Sequence, residues 1–105
     1  MDVERITSDF SLTGAQLAEM AGLNRVTLQK TARREAPKTQ TRLREMLEIL
    51  ARVDEWAGGK LQALAWYRAE PIPALGGRTA ECMVKSGHAA MVRDYLDYIA
   101  MGGFA

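Results

Sequence analysis

The sequence predicts an all-α protein with three parts: an N-terminal lobe of short helices, a long linking helix and a small helical C-terminal lobe. Three observations predict it. Apolar residues recur at three- and four-residue spacing through most of the chain, the period of one helix face. Gly, Pro, Thr and Asn punctuate these runs where helices start and stop. No apolar/polar alternation of strand length interrupts them.

The elements follow in order. Ile6, Phe10 and Leu12 anchor either a short first helix or a strap. Thr13 caps a helix beginning Gly14-Ala15-Gln16-Leu17, and Gly22 stops it. Asn24 caps the next helix, from Arg25 to about Glu35, which ends before Pro37. A third helix runs from about Thr39 to Trp56, with Leu43, Met46, Leu47, Leu50, Val53 and Ala57 on one stripe. Leu43, Leu47, Leu50 and Val53 serve either a dimer interface or the chain's own core. Gly58-Gly59 ends this helix, and a fourth covers about Lys60 to Arg68. Pro71 and Pro73 enforce an extended link, Gly76-Gly77 a turn, and Thr79 caps a short helix closed by Gly87. The last helix spans about His88 to Met101, with Met91, Val92, Tyr95, Leu96 and Ile99 facing inward.

Composition narrows the class. A chain of 105 residues with 48% hydrophobic and 26% charged content is a small soluble domain, not a disordered segment. No apolar run approaches the ~20 residues of a membrane helix, and Met1-Asp2-Val3-Glu4-Arg5 lacks a signal-peptide pattern. The expected compartment is the cytoplasm. A single cysteine, Cys82, excludes an internal disulfide and any multi-cysteine metal site. No cofactor is expected.

Net charge is +1, yet the window from Arg25 to Arg44 carries +6 and the remainder −5. Such clustering suits a polyanion partner. On charge alone a solvated helix face is the equal alternative.

Enzymatic readings are weak. Cys82 and His88 lack an orienting third group. Neither Asp94 and Asp97 nor Glu45 and Glu48 has the setting of a raised-pKa carboxylate pair. Gly58-Gly59-Lys60 is not a phosphate loop, and no metal-ligand spacing is present. The chain reads as a non-enzyme.

The stretch Leu17-Ala18-Glu19-Met20-Ala21-Gly22-Leu23-Asn24-Arg25-Val26-Thr27-Leu28 has the spacing of a helix-turn-helix. Leu17, Ala18, Ala21, Leu23, Leu28 and Ala32 are its expected core, with small residues where two helices cross. It resembles the Xre-type, Cro/repressor-like family, which normally has a longer first helix before the motif. The resemblance implies operator DNA as a partner, with Asn24 at the helix cap and Arg25, Val26 and Lys30 at base edges. Thr27, Gln29, Arg33 and Arg34 would lie nearer the phosphates. Arg suits a two-pronged bond to guanine and Val a thymine methyl. A homodimer is expected, because a two-fold protein reads a two-fold operator.

From about Leu64 to Ala105 the chain resembles the toxin-binding domain of the Xre/MbcA/ParS antitoxins. Trp66 at a helix end, the Pro-rich link, Leu75-Gly76-Gly77, the short helix and the Gly-plus-aromatic tail carry the resemblance. Ala80 stands where that family often has Pro. The implied domains are a helix-turn-helix region with its linking helix over 1–57 and a toxin-binding domain over 58–105. The implied function is that of a type II antitoxin. It would occlude the active site of a RES-domain, NAD-degrading toxin with its C-terminal lobe and repress its own operon. The expected toxin contacts are Tyr67, Arg68, Arg78, Arg93, Tyr98, Gly102, Gly103, Phe104 and Ala105. In that scheme Gly102 and Gly103 form a flexible lead, Phe104 an aromatic anchor, and the terminal carboxylate a negative charge. Trp66 and Tyr95 read mainly as core. Two other readings stay open: a stand-alone regulator whose C-terminal lobe dimerises, and an adaptor that keeps the helix-turn-helix as scaffold.

Overall fold

The structure is a computed structural model that describes residues 2–25, 28 and 35–103. Among these, the elements are α-helices joined by caps and turns, plus one isolated antiparallel bridge, Ile72 with Arg78. The expected all-α class is observed.

Helix α1 covers Val3–Phe10. The Asp2 carboxylate accepts from the Arg5 amide at 3.2 Å and satisfies one of the free donors of the first turn. Val3, Ile6 and Phe10 are buried, so the N-terminal residues form a helix and not a strap. Helix α2 covers Gly14–Ala21. Thr13 and Gln16 form a reciprocal cap: Thr13 Oγ1 accepts from the Gln16 amide at 3.1 Å, and Gln16 Oε1 accepts from the Thr13 amide at 2.8 Å. Gly22, at φ +72°, closes the helix. The Leu23 amide reaches back to the Ala18 carbonyl at 2.7 Å and the Gly22 amide to Glu19 at 3.2 Å, the bond pair of a Schellman motif. Leu17, Ala18, Met20 and Ala21 are buried. Leu28 is buried, as expected; Leu23, expected in the core, packs half-buried against it; Ala32 lies outside the described residues.

Helix α3 covers Pro37–Ala57, starting at the proline itself. Its first position needs no amide donor, so proline is tolerated there. Thr39, Leu43, Met46, Leu50 and Val53 form the buried stripe, and Ile49 is buried beside it. That second line of burial arises because α3 is covered on more than one side, by α4 (Lys60–Ala69), α5 (Ala80–Lys85) and α6 (Ala89–Ala100). Leu43, Leu50 and Val53 lie in the chain's own core, and Leu47 packs half-buried against it. Of the two roles open for these residues, the structure gives them the intrachain one.

Gly58 and Gly59, both at positive φ, turn the chain so that α4 packs along α3. The link after α4 is not simply extended. Pro73–Leu75 makes a short 3-10 turn, and the Ile72 amide donates to the Arg78 carbonyl at 3.0 Å across it. Ile72 and Leu75 are buried beneath this turn. Thr79 Oγ1 caps α5 by accepting from the Cys82 amide at 3.1 Å. Gly87 reverses the chain into α6, whose Ala89, Val92, Tyr95 and Leu96 are buried. Met91, expected inside, is exposed: among the described residues it stays uncovered.

One hydrophobic cluster runs from Val3 through Leu17, Met46 and Tyr67 to Leu96. It does not divide at residue 57. The helix expected as a linker is its central element. A close joint lies between the halves: a Cβ placed on Gly22 would sit 2.9 Å from the Lys85 Cα, closer than real Cβ contacts come. The small residues at the end of α2 let it seat directly on α5. No helix among the described residues is long and apolar enough to cross a membrane.

Candidate protein-binding surface

Exposed apolar side chains concentrate around α6. Tyr98 is 55% exposed and Met101 87%. Beside them a groove of about 390 Å³ opens between the 3-10 turn and α6, lined by Ala74, Leu75, Met91, Asp94, Tyr95 and Tyr98. Its lining is almost wholly apolar, with the Asp94 carboxyl as its charged member. Tyr95 forms the floor and is nearly buried. Burial pushes its phenol above the usual tyrosine range, and the Glu70 carboxylate and Tyr98 add to this.

A second apolar patch lies on the opposite flank. Trp56 is 49% exposed and packs edge-to-face on Trp66, ring centres 5.7 Å apart. A cleft of about 350 Å³ joins Trp56 to Leu96, Ile99 and Ala100. The C-terminal half of α6 thus has open apolar surface on both sides. Charge pairs join α6 to α3: Arg93 to Glu45 at 3.3 Å and to Glu48 at 3.4 Å, and Arg52 to Asp97 at 2.8 Å. Arg93 Nε faces Glu48 without forming a hydrogen bond.

The residues expected to contact a partner separate into groups. Tyr67 is a correction: it is 0% exposed and cannot reach a partner. Its hydroxyl donates to the Met20 carbonyl at 2.7 Å. Its neighbour Trp66, expected in the core, is half-buried instead. The two residues are adjacent on α4, and α2 and α5 cover the tyrosine side. Arg68 is exposed but occupied, with Nε 2.8 Å from Glu81 Oε1 and Nη2 3.9 Å from Glu19. Glu81 is nearly buried on α5 and also holds Lys85 at 3.1 Å. Arg93 is half-buried in its α3 pairs. Arg78 is exposed at the turn, its Nε donating to the Leu75 carbonyl at 2.9 Å.

Tyr98, Gly102 and Gly103 come together at the end of α6. The Gly102 amide donates to Ile99 at 3.0 Å and the Gly103 amide to Tyr98 at 2.9 Å. Both glycines are therefore part of the helix cap, and the flexible lead expected there is corrected to an ordered one. Phe104 and Ala105 lie outside the described residues. Met91, Ala74, Leu75, Asp94 and Met101 were not among the expected toxin contacts. The available signal was Met91 and Tyr98, seven residues apart on one side of α6.

Of the residues expected to contact DNA, Asn24 and Arg25 are exposed at the end of the turn that follows α2. Val26, Thr27, Gln29, Lys30, Arg33 and Arg34 lie outside the described residues. Among the described residues no group of His, Cys, Asp and Glu could hold a metal ion, and Cys82 is free and exposed.

A helical domain whose prominent surface is an apolar groove beside a capped C-terminal helix is a protein-binding module. Its family is specific: residues 41–102 match the antitoxin Xre/MbcA/ParS C-terminal toxin-binding domain, and the chain belongs to that family. It is an antitoxin of a toxin–antitoxin system, and its partner is a protein toxin. The match begins inside α3. No curated protein and no solved structure matches the chain.

Proposed function

We propose that this antitoxin neutralises a RES-type, NAD-degrading toxin by laying the end of α6 and the tail over the toxin's active-site cleft. The apolar groove with Met91 and Tyr98 at its edge carries this reading. It lies within the family-matched unit, and it places open apolar surface next to the point where the tail departs. The antitoxin performs no catalysis. It acts in the cytoplasm, where NAD is consumed.

The basic window from Arg25 to Arg44 supports a second activity of the same chain, operator binding as a homodimer with repression of its own operon. Arg25 and Lys30 read bases, and Arg33 and Arg34 neutralise phosphates. Replacing Arg25 and Lys30 by Ala is expected to weaken operator binding by about 1–3 kcal/mol per lost base contact and to flatten its salt dependence.

Co-expression with the adjacent reading frame tests the antitoxin reading. Expected is a product that stops growth and depletes cellular NAD, with both effects reversed by this chain. A partner that this chain neutralises while NAD stays constant would refute the RES assignment. Full neutralisation by a chain lacking residues 102–105 would refute occlusion by the tail.

A further inference from the structure

We propose that Tyr98 and Gly103 form a positioning pair that fixes the direction in which the tail leaves α6. The proposal rests on the reading that the tail enters the toxin, and deepens it.

Helix α6 ends in a Schellman motif, with the Gly103 amide bonded to the Tyr98 carbonyl and the Gly102 amide to that of Ile99. The two glycines are needed for different reasons. Gly102 sits at φ +96° with open space around its Cα, so backbone conformation alone calls for glycine there. Gly103 has no such φ requirement. A Cβ on it would lie 2.2 Å from Tyr98 Cε2 and 2.4 Å from Cδ2 and Cζ. The phenol ring lies directly on the Gly103 Cα, where the side chains of a Schellman motif ordinarily make their hydrophobic contact. The same Tyr98 lines the apolar groove.

One aromatic side chain therefore touches both the groove and the first tail residue beyond the helix. A toxin seated against the groove meets Gly103 at a fixed offset, and the ordering cost of Gly102 and Gly103 is met before binding. Any side chain at position 103 must push the ring away or turn the backbone, and either loses the contact that couples Gly103 to the groove.

The test uses the full-length chain and the purified toxin from the adjacent reading frame. In the free chain, the Tyr98 ring current is expected to move the Gly103 α-protons upfield. That shift should persist in Tyr98→Phe and vanish in Tyr98→Ala. In neutralisation, Gly103→Ala is expected about tenfold weaker than wild type, with unchanged helix content. The double variant Gly103→Ala/Tyr98→Ala should be no weaker than Tyr98→Ala alone, because the clash is gone. Absence of the ring-current shift in the wild-type chain overturns the pairing. Wild-type neutralisation by Gly103→Ala, while deletion of 102–105 abolishes it, overturns the positioning role and leaves the tail reading standing. Full neutralisation by the deletion overturns both.

Discussion

Tyr67→Phe removes one oxygen atom from the centre of the molecule. The Tyr67 hydroxyl donates at 2.7 Å to the Met20 carbonyl in the last turn of α2. Carbonyls there have no intrahelical donor, and the chain turns away at Gly22. Phenylalanine keeps the ring, so no cavity opens. What is lost is the bond, and what remains is a buried acceptor without a donor, together costing about 1–3 kcal/mol. For a chain of this size that lowers the melting temperature by about 4–8 °C per kcal/mol. The measurement is urea unfolding followed by circular dichroism, with an unchanged m-value as the sign that the same surface is exposed. Stability within about 0.5 kcal/mol of wild type, the level of ordinary surface substitutions, would refute the bond as a joint between α2 and α4.

The same hydroxyl gives a pH signature. Burial first, and then the Glu81 and Glu45 carboxylates, push Tyr67 far above the ordinary tyrosine value, against the opposing pull of Arg42 and Arg68. The unfolded chain loses this proton at about pH 10, while the folded chain keeps it. Its contribution is therefore fully present below that pH and is lost as pH rises further. Tyr67→Phe should abolish this part of the alkaline loss.

Two further outcomes are expected. Gly22→Ala and Gly58→Ala both place a side chain at positive φ, but only Gly22 has backbone against it, the Lys85 Cα at 2.9 Å; Gly58 has nothing within 4 Å. Gly58→Ala should cost about 1 kcal/mol and Gly22→Ala at least about twice that, so equal losses in denaturant titrations would contradict the close seating of α2 on α5. Met91→Glu, in the exposed groove, should leave stability within about 0.5 kcal/mol and weaken toxin binding at least about tenfold in calorimetry by placing a charge in a desolvated contact; unchanged affinity would remove the groove from the interface.

Helix positions were legible because their causes are local. Thr13, Thr79, Gly22 and Gly87 act on amides and carbonyls within a few residues, and each stands where the sequence places it. The stripe of α3 was legible for the same reason. The face of a short helix was not. Trp66 and Tyr67 are neighbours, and which one enters the core depends on where α2 and α5 arrive. Met91 shows the converse, since an apolar residue at the right period stays exposed when no element covers it. Tail geometry was hidden too: a Gly-Gly pair signals freedom in the unfolded chain, and only the Tyr98 ring above Gly103 turns it into a constraint.

The sequence by itself determined the helical class, the order and caps of the elements, and the toxin-binding family that the match over residues 41–102 establishes. Periodicity, capping and family pattern are properties of the chain read in order. Tertiary structure alone decided that one core unites the two halves around α3, that Tyr67 joins α4 to α2, and that the open apolar surface gathers along α6. Those outcomes depend on contacts between residues tens of positions apart, where burial is set by which surfaces meet.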